Sequence, residues 1–213
     1  MNKVLLYYSQ NGSYVFEQFI RHFLISIYGV LFASILAIPL GFLIARKGKL
    51  SNLFISIANV MQTIPSLAML AILMFAIGTG PNTVVLSVFL YSILPILKNT
   101  VAGINSVSPA IVDAAKGMGM TKSQIRRKIE FPLSVSIIMG GIRNALVVAI
   151  GVTAVGTFIG AGGLGDIITR GITVANGSPI IVAGAIPTAL MAVIADLLLA
   201  ALENKLKPEE VSR

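Results

Sequence analysis

Between residues 50 and 97 the chain carries no Asp, Glu, Lys, Arg or His. About 20 apolar residues suffice for a helix to cross the roughly 30 Å of bilayer hydrocarbon. The turn-forming Gly78-Thr79-Gly80-Pro81-Asn82 divides the run, so the spacing predicts one helix over 53–77 and another over 83–97. An uncharged stretch, 23–45, bracketed by Arg21/His22 and Arg46/Lys47, predicts a helix about 35 Å long. Two more apolar stretches follow, 132–159 interrupted only by Arg143 and 180–202 interrupted by Asp196. The whole chain is 56% hydrophobic and 11% charged, with a mean hydropathy of +0.91. An ordinary soluble domain is roughly 25% charged, so this chain has too few charges to cover its own surface in water. The expected fold is an all-α membrane protein of about five transmembrane helices.

Lys and Arg collect in cytoplasmic loops, and they give the chain a direction. With the N-terminus outside, the inner segments 46–50, 98–131 and 203–213 hold 3, 6 and 3 basic residues; the outer segments 1–22, 78–82 and 160–178 hold 2, 0 and 1. The sequence therefore divides into an extracellular N-terminal segment (1–22), a transmembrane domain (23–202) and a cytoplasmic tail (203–213). The first 22 residues have neither an apolar core of their own nor a small-residue cleavage site, so the first span is expected to stay as an uncleaved anchor. The formal charge of +8 is then a topology signal rather than a nucleic-acid footprint, and the expected surroundings are membrane lipid.

Several chemistries are excluded by what the chain lacks. With no cysteine there are no disulfides, thiolate zinc sites or Cys nucleophiles. His22 is the only histidine and has no carboxylate cluster near it, so no metal site is expected; beside Arg21 it reads as an interfacial anchor. No G-x-x-x-x-G-K-[ST] segment occurs, so ATP hydrolysis is not expected of this chain. No catalytic residue is assigned.

One loop is far longer than the rest. Residues 98–131 read as two short helices around a glycine turn. Ser108-Pro109 is a helix start, Gly117 and Gly119 a stop, and Thr121 to Gln124 a capping box opening a second helix to about Glu130. Pro132 marks entry into the fourth span. A basic amphipathic segment lying on anionic lipid is one reading. Docking into a partner, with Met118 and Met120 as apolar knobs, is the other, and the tight Gly-Met-Gly-Met turn favours it.

Gly160-Ala161-Gly162-Gly163-Leu164-Gly165 matches G-x-G-x-x-G, but a membrane span precedes it and no carboxylate lies near position 185, so a nucleotide fingerprint is not expected. It reads as a tight outer turn, part of an external gate, with Asp166 and Arg170 bracing the helix that follows. Arg143 and Asp196 lie at compatible depths; they form an ion pair between the fourth and fifth spans, or each snorkels or faces water in a path. Gly156 and Gly160 have the spacing of close helix contacts, either between chains or within this one.

The segment DAAKGMGMTKSQIRRKIEFP resembles the EAA loop of ABC importer permeases. Asp113-Ala114-Ala115, Gly119, Ile129 and Pro132 fall on its spacing, with Asp113 where Glu is usual and Phe131 where Leu is usual. Elsewhere YYSQNGSYVFEQFIRHF, IPLGFLIAR, QTIPSLAMLA, YSILPILKNT and FIGAGGLGDIITRG resemble the OpuC-type permeases for osmoprotectants of a Gram-positive bacterium, in particular the second of two permease subunits. That resemblance implies a type I ABC importer fold like that of methionine permeases, in the bacterial plasma membrane. The implied function is ATP-driven import of glycine betaine, carnitine or choline. The implied partners are a second permease, a cytoplasmic ABC ATPase that binds ATP and Mg, and a lipid-anchored binding protein outside. No cofactor is implied on this chain. Residues 113–132 would couple to the ATPase. A permease for another small solute such as an amino acid is the alternative. A stand-alone secondary transporter is disfavoured because neither inverted repeats nor paired broken helices are seen, and an intramembrane enzyme because His22 has no nucleophile beside it.

Overall fold

The computed structural model describes residues 2–206; of the segment 203–213, residues 207–213 lie outside the described residues. The described chain is helical: α1 (Asn2–Ile44), α2 (Gly48–Thr63), α3 (Ser66–Ile77), α4 (Pro81–Ser106), α5 (Pro109–Gly117), α6 (Lys122–Ile125), a π-helical turn (Arg126–Glu130), α7 (Phe131–Val155), a 3₁₀ turn (Gly156–Ile159), α8 (Leu164–Thr173) and α9 (Ser178–Leu206).

Helix α1 begins far earlier than the apolar run. It takes in most of the segment expected to stand apart as 1–22, and bends at Asn11, where φ is −126° and ψ 20°. The cause is local. Asn competes with the helix through its side chain, here by donating from Nδ2 to the Tyr7 carbonyl at 3.2 Å, and Gly12 follows with low helix propensity.

The single helix expected over 53–77 is two. α2 and α3 meet at 96°, because Pro65 has no N–H and the residue before a proline is pushed out of the helical region. Ile64 accordingly sits at φ −66°, ψ 128°. Bonds to Tyr91 of α4 hold the break: its hydroxyl donates to the Ile64 carbonyl, and Gln62 Nε2 of α2 donates to its carbonyl at 3.3 Å.

Packing around α4 fixes how the spans run. A Cβ on Gly29 would stand 2.6 Å from Val88 Cβ, and one on Gly41 2.5 Å from Thr100 Cγ2, so α1 and α4 lie side by side and parallel. Against α7 the order reverses: Gly103 meets Ser134, Gly141 meets Asn99, and Gly156 meets Val84. Small residues let these backbones approach closely, and Gly156 spends its small size inside this chain. For α1 and α4 to be parallel, the bent pair α2/α3 must carry the chain back across between them. With the bent pair counted as one span, the described residues hold up to five helices or helix pairs long and apolar enough to cross a membrane.

The turns sort to two ends. At one, Gly80 N–H donates to the Ile159 carbonyl at 2.9 Å, placing the α3–α4 turn beside the glycine-rich turn. At the other, Arg46 meets Glu130 at 2.8 Å, placing the α1–α2 turn against the long loop. The main core lies between α1, α4 and α7. A small second core of Val107, Val112, Ala115 and Ile125, with Met120 and Ile129 against it, sits inside the loop.

Candidate functional site

The long loop is built as its sequence indicates, with two exceptions. Helix α5 starts at Pro109 after Ser108, although the Ser108 side chain makes no cap bond. The Thr121 capping box is complete: Gln124 N–H donates to Thr121 Oγ1 at 3.3 Å and Thr121 N–H to Gln124 Oε1 at 2.7 Å. Between them, Gly119 has φ +79°. Gly119 N–H donates to the Lys116 carbonyl at 2.9 Å and Met120 N–H to the Ala115 carbonyl at 3.1 Å. This pair of bonds is a Schellman motif, which needs a left-handed residue after the helix and folds the next apolar residue back onto it.

That geometry corrects the expectation of two knobs. Met120 is the folded-back residue and packs in the loop core with fully buried Ala115. Met118, at the helix end, is 74% exposed and is the single knob of the pair. Asp113 is exposed and pairs with Lys116 at 2.8 Å. The hydrogen bond and charge of Lys116 hold the Asp113 carboxyl below its usual range. Ala114 is exposed beside it, Ile129 is half-buried against the loop core, and Pro132 is exposed.

The second exception is the entry to α7. Pro132 does not separate the loop from the span; α6 runs on through the π turn into α7 without a break. The proline ring clashes with the carbonyl four residues back in a regular helix, and a π turn widens the helix at that point. The loop is also tied to the end of α1. Glu130, its side chain only 8% exposed, accepts from Arg46 Nε at 2.8 Å, and the Phe42 and Phe131 rings lie 6.0 Å apart. Sequence reading missed the Arg46–Glu130 pair; its one signal was a lone acid at the end of a basic run. Between these elements is a cavity of about 330 Å³ whose lining includes Arg46, Lys47, Lys116, Lys122 and Arg126.

At the other end, the glycine turn has three left-handed residues: Gly160 (φ +76°), Gly162 (φ +72°) and Gly163 (φ +86°). Helix α1 caps it. Gln18 Oε1 accepts from the N–H of Gly163, the residue just before α8, at 2.6 Å, and His22 Nδ1 from the N–H of Leu164, the first residue of α8, at 3.2 Å. His22 Nε2 lies 3.0 Å from the Ile150 carbonyl, so the ring carries its proton on Nε2. His22 is fully buried, not the interfacial anchor expected, because it links α1, α7 and α8. Replacing it with Ala leaves the Leu164 N–H without its acceptor and a cavity where the buried ring stood. The expected cost is about 2–4 kcal/mol, seen as an unfolding midpoint several degrees lower in detergent; an unchanged midpoint contradicts this role. Asp166 pairs with Arg170 at 2.8 Å and accepts from the Tyr14 hydroxyl, while the Arg170 guanidinium lies 4.9 Å over the Tyr14 ring. Gly165 packs directly on the backbone of Ala154.

Within the membrane region, Arg143 Nε meets Asp196 Oδ1 at 2.5 Å, and Arg143 Nη1 meets Glu203 Oε2 at 3.5 Å. The expected pair is therefore made, with a third member that had not been anticipated. The Arg143 and Asp196 side chains remain 38% and 35% exposed. Among the described residues no group of His, Asp and Glu gathers as a metal site.

Comparison with known proteins adds four findings. Residues 37–208 match the family described as "Binding-protein-dependent transport system inner membrane component". The carnitine transport permease protein OpuCD of Listeria monocytogenes is 61% identical over 213 residues, covering 100% of this chain and 96% of the relative. The glycine betaine/carnitine/choline transport system permease protein OpuCD of Bacillus subtilis is 62% identical over 202 residues, 95% of this chain and 88% of the relative. In fold, the chain resembles the permease of the MetNI methionine ABC transporter in an inward-facing conformation. That match has a TM-score of 0.82 at 17% identity and covers 91% of this chain and 96% of the other.

Proposed function

We propose a transport role for this chain, which belongs to the family of binding-protein-dependent transport system inner membrane components: it is a permease subunit that imports quaternary-ammonium osmolytes across the bacterial plasma membrane. The observation that carries the reading is the 61% identity over the full chain to a carnitine permease. It is reinforced by 62% identity to a permease named for glycine betaine, carnitine and choline. The chain itself transports rather than catalyses. ATP and Mg belong to a partner ATPase, a second permease completes the path, and a binding protein delivers solute from outside.

The orientation in this reading puts the N-terminus outside and the loop carrying Met118 in the cytoplasm, supported by the sorting of basic residues. Met118 then inserts into the ATPase, with Asp113, Ala114 and Gly119 shaping the surface around it. Closure of the ATPase pushes on the loop. Two rigid connections carry that motion inward: the Arg46–Glu130 pair to α1, and the unbroken helix from α6 to α7. The far end of α7 leads into the glycine turn, which α1 also holds through Gln18 and His22. Loop movement is thereby transmitted to the outer turn, where Gly160, Gly162, Gly163, Gly165 and Asp166 act as an external gate.

Reconstitution with the partner permease, ATPase and binding protein tests the function. The expected result is ATP-dependent uptake of at least one of glycine betaine, carnitine and choline that requires the binding protein. Uptake of an amino acid instead, or of any solute without ATP, overturns the reading.

A further inference from the structure

Between α1 and the start of α4 lies an open cavity of about 610 Å³, within the size range of small-molecule sites. Its lining combines a carboxylate, Glu17, a guanidinium, Arg21, and two aromatic rings, Phe16 and Tyr28. Asn82 lines it too, and with Val85 continues into a neighbouring cavity lined by Phe32 and Phe89. Residues four apart on a helix normally pair when oppositely charged, with Cβ atoms about 5–6 Å apart. Among the described residues, however, neither Glu17 nor Arg21 makes an ion pair. The reason is in the glycine turn. A Cβ on Gly162 would stand 3.1 Å from Arg21 Nε and 3.2 Å from Arg21 Cδ, so the Arg21 stem lies over the space that this glycine leaves open. Glu17 is left facing the cavity without a cation.

We infer that this cavity receives the solute: its trimethylammonium group settles against Glu17 and the Phe16 ring, and its carboxylate against Arg21. A quaternary ammonium has no N–H to donate, so it is recognised by negative charge and aromatic faces. A carboxylate one helical turn away suits a guanidinium. Glu17 lies 27 residues before the end of α1, about 40 Å along the helix from the loop that carries Met118, so the site is at the outer end, where solute arrives. This inference rests on the proposed function for its solute class.

The test uses the complete transporter in proteoliposomes, with initial uptake of glycine betaine and choline measured at saturating binding protein. Choline lacks the carboxylate. Glu17→Gln is expected to lower the maximal rate for both solutes about tenfold, the factor one charge-assisted contact supplies. Arg21→Gln is expected to lower the betaine-to-choline rate ratio by about the same factor. Unchanged rates in Glu17→Gln, or an unchanged ratio in Arg21→Gln, overturn the site and assign this face to lipid. Equal loss of both solutes in Arg21→Gln, with loss of membrane-inserted protein, is a folding defect and also overturns it. Where the wild-type complex carries only one of the two solutes, Glu17→Gln on that solute decides. A wild-type complex that carries neither overturns the proposed function instead.

Discussion

Replacing Gly119 with valine is expected to stop solute uptake while leaving the chain in the membrane and folded. Gly119 sits at φ +79°, where an ordinary L-residue costs roughly 1–2 kcal/mol and a β-branched one is a conformational outlier. No heavy atom lies within 4 Å of a Cβ built there, so the added side chain meets nothing and the damage is confined to the backbone. The Schellman bonds from Gly119 and Met120 cannot both survive a shift of Gly119 out of the left-handed region. Met118 then loses its position at the turn. The loop core of Val107, Val112, Ala115 and Ile125 remains, and so do the spans. Uptake is expected to fall about tenfold or more, since each 1.4 kcal/mol lost in the coupled step is tenfold in rate. Gly119→Ala should show a milder loss in the same assay. Wild-type uptake in the valine variant contradicts the role given to the turn.

Gly165→Ala is expected to destabilise the fold strongly. A Cβ there would stand 2.9 Å from the Ala154 carbonyl carbon and 3.0 Å from its Cα, with the carbonyl oxygen nearer still. Backbone cannot swing aside as a long side chain can, so α8 must separate from the end of α7. Overpacking of this kind costs about 3 kcal/mol, and the separation also strains the caps from Gln18 and His22. Gly160→Ala is the matched comparison. Gly160 is left-handed, at φ +76°, where Gly165 is helical, but it has open space around it, so only backbone strain of about 1 kcal/mol is expected. Unfolding midpoints of the two variants in detergent should differ by several degrees, Gly165→Ala being the lower. Equal midpoints would show that α8 is not seated against Ala154.

How much of this was legible beforehand follows the range of the interactions involved. Thr121 and Gln124 declare a capping box because both partners lie within one turn, and the Asp166–Arg170 pair is equally local. Met120 was misread because burial of the residue after a Schellman turn follows from backbone hydrogen bonds, not from apolarity, which Met118 shares. Proline alone did not mark the break at Pro65: Pro39, Pro95 and Pro187 all sit inside continuous helices. What differs at Pro65 is the set of partners in α4 that satisfy the freed backbone, Tyr91 above all. His22 looked interfacial because a lone histidine beside an arginine at the edge of an apolar run usually is. Its partners, Ile150 and Leu164, lie 128 and 142 positions away, and no local pattern carries contacts of that separation. The Arg46–Glu130 pair, 84 positions apart, was missed for the same reason, the lone acid in a basic run being its one local trace. The Arg143–Asp196 pair was legible in spite of its separation, since two lone charges at matching depth in hydrocarbon have few alternatives to each other.

The central claim is that the exposed turn at Met118 docks on an ATPase, and the absence of cysteine makes it directly measurable. A single cysteine is placed by Met118→Cys, the chain is assembled with its partner permease and ATPase, and a second cysteine is placed in the cleft of that ATPase. Disulfide cross-linking is then followed with and without ATP. The account predicts a cross-link at position 118 whose yield changes with nucleotide, and none at position 120, which is packed inside the loop. Absence of any cross-link from position 118 and its exposed neighbours, with the complex intact, would contradict the account and assign the loop to the lipid surface.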